Sequence, residues 1–209
     1  TDYLENLGDR SHFSVCQVLA NDRPSMARAI QALALDDLDG LIVMNVPHPT
    51  VFGDLISHHR PQQLKSWYVA FFQLPWLPEL LLRQNRADGI AKAFLNMAID
   101  KGAFPPHVLE EYRKNALIPG ALTAMINYYR ANLKILEETS PPIDVPTLML
   151  WGEEDTALDI KLTEGDGPHV QDFTLVRFPN VSHWVQQEAP VPVNTAMLEW
   201  LRAKGLTAG

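Results

Sequence analysis

P-T-L-M-L-W-G-E-E-D, residues 146–155, decides how this chain is read: an unbroken apolar, β-prone run opens on a proline and ends in a glycine and three acids. A run without polar alternation is the mark of a parallel strand buried on both faces. A carboxylate directly after the carboxyl end of such a strand stands where open α/β sheets gather their chemistry. A second junction of the same kind follows, F-T-L-V-R-F at 173–178 and then S-H-W at 182–184. An acid at one strand end and an imidazole at the next are the two members of a hydrolytic triad that make a general base, which marks Asp155 and His183. The alternative is a loop aspartate that caps a helix and a histidine satisfied by backbone.

Working outward, L-I-V-M-N at 41–45 is a third β-rich run and closes with P-H-P at 47–49. Residues 25–35 before it have helical spacing, with Met26, Ile30 and Leu33 near one face. From 50 to 142 strand signals all but vanish, and 62–72, 77–85, 90–100 and 117–138 read as helices. A final amphipathic helix over 191–204 carries Val193, Met197, Trp200 and Leu201. Strand, helical insertion, strand, strand, helix is the layout of a doubly wound α/β sheet with an inserted helical cap. The corresponding division is 1–49 for the first part of the core, 50–142 for the cap and 143–209 for the second part of the core.

Composition narrows the function. The 209 residues include 46% hydrophobic ones, enough for a sizeable interior. A net charge of −8, with no run of lysines or arginines, excludes a phosphate-neutralising surface and hence nucleic acid as a partner. Cys16 is the single cysteine, cannot form an internal disulfide and reads as a small core residue. The start, T-D-Y-L-E-N-L-G, has neither the basic opening nor the apolar stretch of a signal peptide, so a cytoplasmic setting is expected. The apolar segments at 41–46 and 69–82 are too short or interrupted to span a bilayer. The pair His58 and His59 lacks a further residue at metal-ligand spacing, and no metal is expected.

Five stretches in order resemble the α/β-hydrolase superfamily, and within it the epoxide hydrolases and their dehalogenase relatives. They are L-I-V-M-N-V-P-H-P at 41–49, K-S-W-Y-V-A-F-F-Q-L-P-W at 65–76, I-N-Y-Y-R at 126–130, P-T-L-M-L-W-G-E-E-D at 146–155 and S-H-W-V-Q-Q-E-A-P at 182–190. The resemblance implies a cofactor-free, two-step hydrolysis of a small apolar epoxide or a halogenated substrate. An aspartate attacks an epoxide carbon to form an enzyme ester while two cap tyrosines, Tyr68 and Tyr129, hydrogen-bond the departing oxygen. His183, oriented by Asp155, then activates the water that hydrolyses the ester. Core packing is the competing role for both tyrosines, with Met125, Ile126 and Tyr129 on one helical face and Trp67, Phe71 and Phe72 around Tyr68. His48, Trp67 and Trp184 are the corresponding pocket residues, and a turn is the other place for His48.

Counting back from N-V-P-H-P places the nucleophile at Asp22, in A-N-D-R-P-S at 20–25, with the Arg23 N–H as an oxyanion donor. The family elbow, close to G-x-D-x-G, needs small flanking residues, and Pro24 strains that turn. Asp22 also fits an N-cap of the helix beginning near Pro24. Counting forward from the first residues sets the elbow near Cys16 instead, and H-G-x-P, the family's other oxyanion loop, does not occur in the 209 residues. The first part of the core is therefore expected to be truncated, leaving an apolar sheet edge that would accept a second copy of the chain. Arg23 directly after Asp22 resembles the fluoroacetate-dehalogenase branch, so haloacid or haloalkane dehalogenation is the sister reading. A non-catalytic hydrolase-fold remnant, acting as a binding or dimerising module, is the third.

Overall fold

In the computed structural model of the chain, the described residues are 13–15, 39–132 and 142–206. Four strands, β1 (Phe13–Val15), β2 (Gly40–Met44), β3 (Thr147–Gly152) and β4 (Phe173–Phe178), form one parallel sheet in the order β1-β2-β3-β4. All four carboxyl ends consequently lie at one edge.

The lack of alternation in β2 and β3 has the expected cause. Leu41, Val43, Met149 and Trp151 pack on one face, with Val51, Phe52, Leu158 and Leu162. Ile42, Leu148 and Leu150 pack on the other, with Val185, Val193, Trp200 and Leu201. Both faces are covered, so every position in β3 is buried. The second face is closed by α7 (Val185–Glu188) and α8 (Pro190–Ala203), the amphipathic C-terminal helix.

Between β2 and β3 run α1 (Pro49–His58), α2 (Arg60–Lys65), α3 (Trp67–Phe71), α4 (Leu77–Met97), α5 (Pro106–Leu117) and α6 (Ala121–Asn132). The helical insertion has apolar clusters of its own: Ala87, Ile90, Ala116 and Leu122 in one, Ala91, Ala98, Phe104 and Leu109 in another.

Several expected helices take different bounds. The stretch 62–72 divides at Ser66 (φ −91°, ψ 13°), whose hydroxyl accepts the Gln62 side-chain amide at 2.9 Å. The break expected between 85 and 90 is a kink at residues 84–87, where Asn85, Arg86 and Ala87 are left-handed with φ of 49°, 60° and 58°. Such backbone costs roughly 1–2 kcal/mol per non-glycine residue; Ala87 is buried there among Ile90, Ala116 and Leu122. The helix expected from 117 starts at Ala121, because Pro119 has no N–H to give and Gly120 turns left-handed at φ 84°. Met125 leaves the shared face expected of it and is 49% exposed, while Leu122 and Ile126 are buried. Helix α5 was hidden by its charged run E-E-Y-R-K, although Leu109 and Ala116 hold a buried stripe. Cys16 and 25–35 lie outside the described residues.

Candidate active site

The loops after β3 and β4 are laced together by backbone before any side chain contributes. Glu153 N–H donates to Phe178 O (3.1 Å) and Glu154 N–H to Val181 O (3.0 Å). Gly152 permits this approach, since a Cβ there would collide with the carbonyls of Ser182 and Val181. The glycine of W-G-E-E-D thus serves a close crossing of two chain segments.

On this frame Asp155 and His183 meet: His183 Nδ1 lies 2.5 Å from Asp155 Oδ2, and both side chains are buried. Asp155 Oδ2 also accepts from Asn45 Nδ2 at 2.7 Å, and Oδ1 accepts the N–H groups of Ala157 (2.7 Å) and Leu158 (2.9 Å). Four donors saturate the acceptor capacity of an ionised carboxylate. Burial pushes the Asp155 carboxyl up, but the charge and hydrogen bond of His183, with those of Asn45 and the Leu158 N–H, outweigh it and hold the group below the usual aspartate range. An ionised Asp155 requires a proton on His183 Nδ1, which leaves Nε2 as the free base nitrogen.

Asn45 is the residue that reading the sequence missed. It follows β2 with φ 48°, a conformation asparagine tolerates, and its Oδ1 accepts Gly152 N–H at 2.9 Å while its amide holds Asp155. An asparagine directly after a buried strand, before P-H-P, was the available signal. Gln62 and Lys65 of α2 were missed too. Lys65 Nζ donates to Asp155 O (2.7 Å) and Leu158 O (3.1 Å), while Gln62 donates to Ala157 O (3.1 Å) and accepts Asp159 N–H (2.8 Å). The helical insertion therefore grips the acid loop directly.

No family model matches the chain. Among curated proteins it is 39% identical over 166 residues to AB hydrolase superfamily protein YfhM of Bacillus subtilis, covering 79% of this chain and 58% of that protein. It is 33% identical over 207 residues to human Epoxide hydrolase 4, covering 96% of this chain and 56% of that protein. The chain thus spans little more than half the length of these relatives. Its fold superimposes on Bacillus megaterium epoxide hydrolase, solved in complex with an inhibitor, with a TM-score of 0.78 and 23% identity over 96% of this chain and 72% of that one. The chain has the α/β-hydrolase fold.

Within the helical insertion of this fold, Tyr68 of α3 and Tyr129 of α6 meet edge to face, with ring centroids 5.8 Å apart and planes at 89°. Phe72 packs on both, at 5.9 and 4.7 Å. Arg130 fixes the α3–α4 connection to α6: Nε donates to Phe72 O (2.9 Å), Nη2 to Leu74 O (2.6 Å), and both Nη groups to the Glu79 carboxylate (2.6 and 3.1 Å). Its hydrogen bond keeps Glu79 below the usual glutamate range.

The three expected pocket residues scatter. Trp67 is 66% exposed, tilted against Phe71. Trp184 packs into the insertion, 4.4 Å from the Phe94 ring, with its edge toward His183 at 4.9 Å. His48 is buried at the start of α1, where Nδ1 accepts Thr50 N–H (3.2 Å) and the ring stacks on His169 at 4.7 Å. It lines a water-sized cavity of about 10 Å³ beside Asp166. Asp166 accepts His48 N–H at 2.9 Å through Oδ1, and its Oδ2 is buried without a partner. Burial pushes this carboxyl up to about 7 against the opposing pull of the His48 N–H.

Asp22 and Arg23 lie outside the described residues. Among the described residues no cluster of metal-ligating side chains occurs, and no helix is long and apolar enough to cross a membrane.

Proposed function

We propose that the chain carries the water-activating pair and the lid tyrosines of an epoxide hydrolase that opens an apolar epoxide through an aspartyl ester. The observation that carries this reading is the buried contact of 2.5 Å between His183 Nδ1 and Asp155 Oδ2 at the carboxyl edge of a parallel sheet. Residues 50–142 act as the cap. In support, Tyr68 lies three positions after Lys65, which holds the acid loop, and its ring packs edge to face on Tyr129.

In the first step an Asp22 oxygen attacks one epoxide carbon, the C–O bond breaks, and Tyr68 and Tyr129 hydrogen-bond the oxygen that leaves as alkoxide and then takes a proton. In the second, His183 Nε2 takes a proton from water as the water oxygen attacks the ester carbonyl. The Arg23 N–H stabilises the oxyanion; as it collapses the ester C–O bond breaks, the imidazolium gives its proton to the leaving oxygen, and the diol departs with the former Asp22 oxygen. Asp155 remains ionised and stabilises the imidazolium. The order of the sheet supports Asp22 as the attacker. Strand β1 is parallel to β2, so the chain leaves Val15 at the edge where Asp155 and His183 stand. Relatives from a bacterium and from human carry hydrolase names, the human one an epoxide hydrolase.

Incubating the His183→Ala chain with an aryl glycidyl ether should leave one substrate mass on the peptide containing Asp22, and the native chain should release diol. A peptide free of adduct would remove Asp22 from the reaction. Halide release from a haloacid with no diol from the epoxide would favour the dehalogenase reading drawn from Arg23.

A further inference from the structure

The base loop is also tied to the insertion, and by a residue that no step above uses. Glu188 ends α7, one turn beyond His183, with its N–H donating to Trp184 O at 3.0 Å. That turn folds its carboxylate back over the loop. Oε1 accepts the hydroxyl of Ser182, the buried residue directly before His183. Oε2 accepts two backbone N–H groups, Ile99 at 2.9 Å and Asp100 at 2.8 Å, in the segment that leaves the C-terminal end of α4. Trp184, directly after His183, stacks on Phe94 of the same helix. His183 is thus bracketed by two neighbours, and both are held by α4 or by the segment that follows it.

We propose that Glu188 is a positioning residue that makes the orientation of the His183 ring depend on the seating of the helical insertion. The carboxylate bonds both the base loop and the segment after α4, with one oxygen for each. When α4 and its following segment lift from the sheet, Oε2 loses both donors, and the Ser182 side of the loop loses its anchor together with the Trp184 stack. Asp155 is gripped by the insertion separately, through Gln62 and Lys65 of α2. The Glu188 link therefore conveys seating to the base and not to the acid. The inference rests on His183 as the base of the reading above, but its test does not depend on turnover.

The first readout is the hydrogen exchange of the His183 Nδ1 proton bonded to Asp155, followed by proton NMR and assigned by its loss in His183→Ala. In Glu188→Gln, where the amide can serve only one of the two sets of donors as acceptor, this proton should exchange at least about tenfold faster. In Glu110→Gln, which changes an insertion carboxylate paired with Arg86, it should be unaffected. The second readout separates the half-reactions, and a misplacement of the base by about 1 Å can cost on the order of 10²-fold. Ester hydrolysis should slow about 10- to 100-fold in Glu188→Gln while ester formation changes less than about twofold. Ser182→Ala keeps both backbone bonds to Glu188 and should reproduce the faster exchange, which decides the matter if Glu188→Gln does not fold. Unchanged exchange in the variants that fold would overturn the coupling. A native chain that forms no ester would sink the proposed reaction and leave the exchange result to stand by itself.

Discussion

The corner holding Asp155 and His183 and the region holding Tyr68 and Tyr129 are built by different physics. In the corner, strand ends, a backbone crossing at Gly152 and four donors on one carboxylate fix each atom, and the sheet itself sets the geometry. The tyrosines sit on two helices of the insertion, held by ring packing through Phe72 and by the Arg130 guanidinium at the surface. A reaction divided between them has one half anchored in a core and one half on a body whose seating can change. Ester hydrolysis should be sensitive to the buried network, and ring opening to the seating of α3 against α6.

The largest effect is expected from Asp155→Ala. It leaves a buried imidazole, the Asn45 amide and two N–H groups without their acceptor, and breaking a buried pair typically costs about 3–5 kcal/mol. Ester hydrolysis should fall by roughly 10⁴-fold, as when the orienting acid of a triad is lost, while ester formation persists. Hydrolysis within tenfold of native would erase the contrast between the two regions. Tyr129→Phe should do the reverse, slowing ester formation by about 10²–10³-fold and leaving hydrolysis of a preformed ester intact. Arg130→Lys keeps the charge and loses the fork that serves Phe72 O, Leu74 O and Glu79 together. Ester formation should drop by roughly 10- to 100-fold through misplacement of Tyr68 against Tyr129. An equal loss in both half-reactions would show that the insertion and the corner act as one body.

The smallest effect belongs to Asp166, below the sheet edge and outside both regions. Its folded value of about 7 lies above the ordinary 3.8. The native chain therefore keeps the proton where the unfolded chain has lost it. The contribution of Asp166 to stability is at its fullest below about pH 4, falls as pH rises toward 7 and then stays level, a loss of at most about 4 kcal/mol. Asp166→Asn retains an acceptor for His48 N–H, and its buried amide costs about 1–3 kcal/mol. The variant should be about 1–2 kcal/mol more stable than native at about pH 8 and less stable near pH 4, as read by urea unfolding. Curves that do not cross would return Asp166 to an ordinary titration.

What the sequence disclosed follows the same division. Residues 173–178 read as a strand and β4 spans Phe173–Phe178, because β-branched and aromatic residues mark a strand by local composition even where it is only half-buried. W-G-E-E-D and S-H-W were legible because each side chain follows its strand directly. Asn45 was not, since its partner lies 110 residues away and nothing local marks an amide as the support of a carboxylate. Glu188 and Arg130 stood inside quoted motifs without a role, as their work is to bond backbone groups of distant segments. His48 and Trp184 were assigned to a pocket by position along the chain. Their rings meet His169 and Phe94, contacts between segments far apart in the chain that nothing local announces.

A single turnover in ¹⁸O-labelled water tests the central claim most directly, with a large excess of chain over an apolar epoxide. Water attacks the ester carbonyl if His183 serves the second step, so the label is expected in the Asp22 carboxylate and the diol should carry unlabelled oxygen. Label in the diol with none in the protein would mean that water strikes the epoxide itself, and the paired roles given to Asp22 and His183 would be wrong.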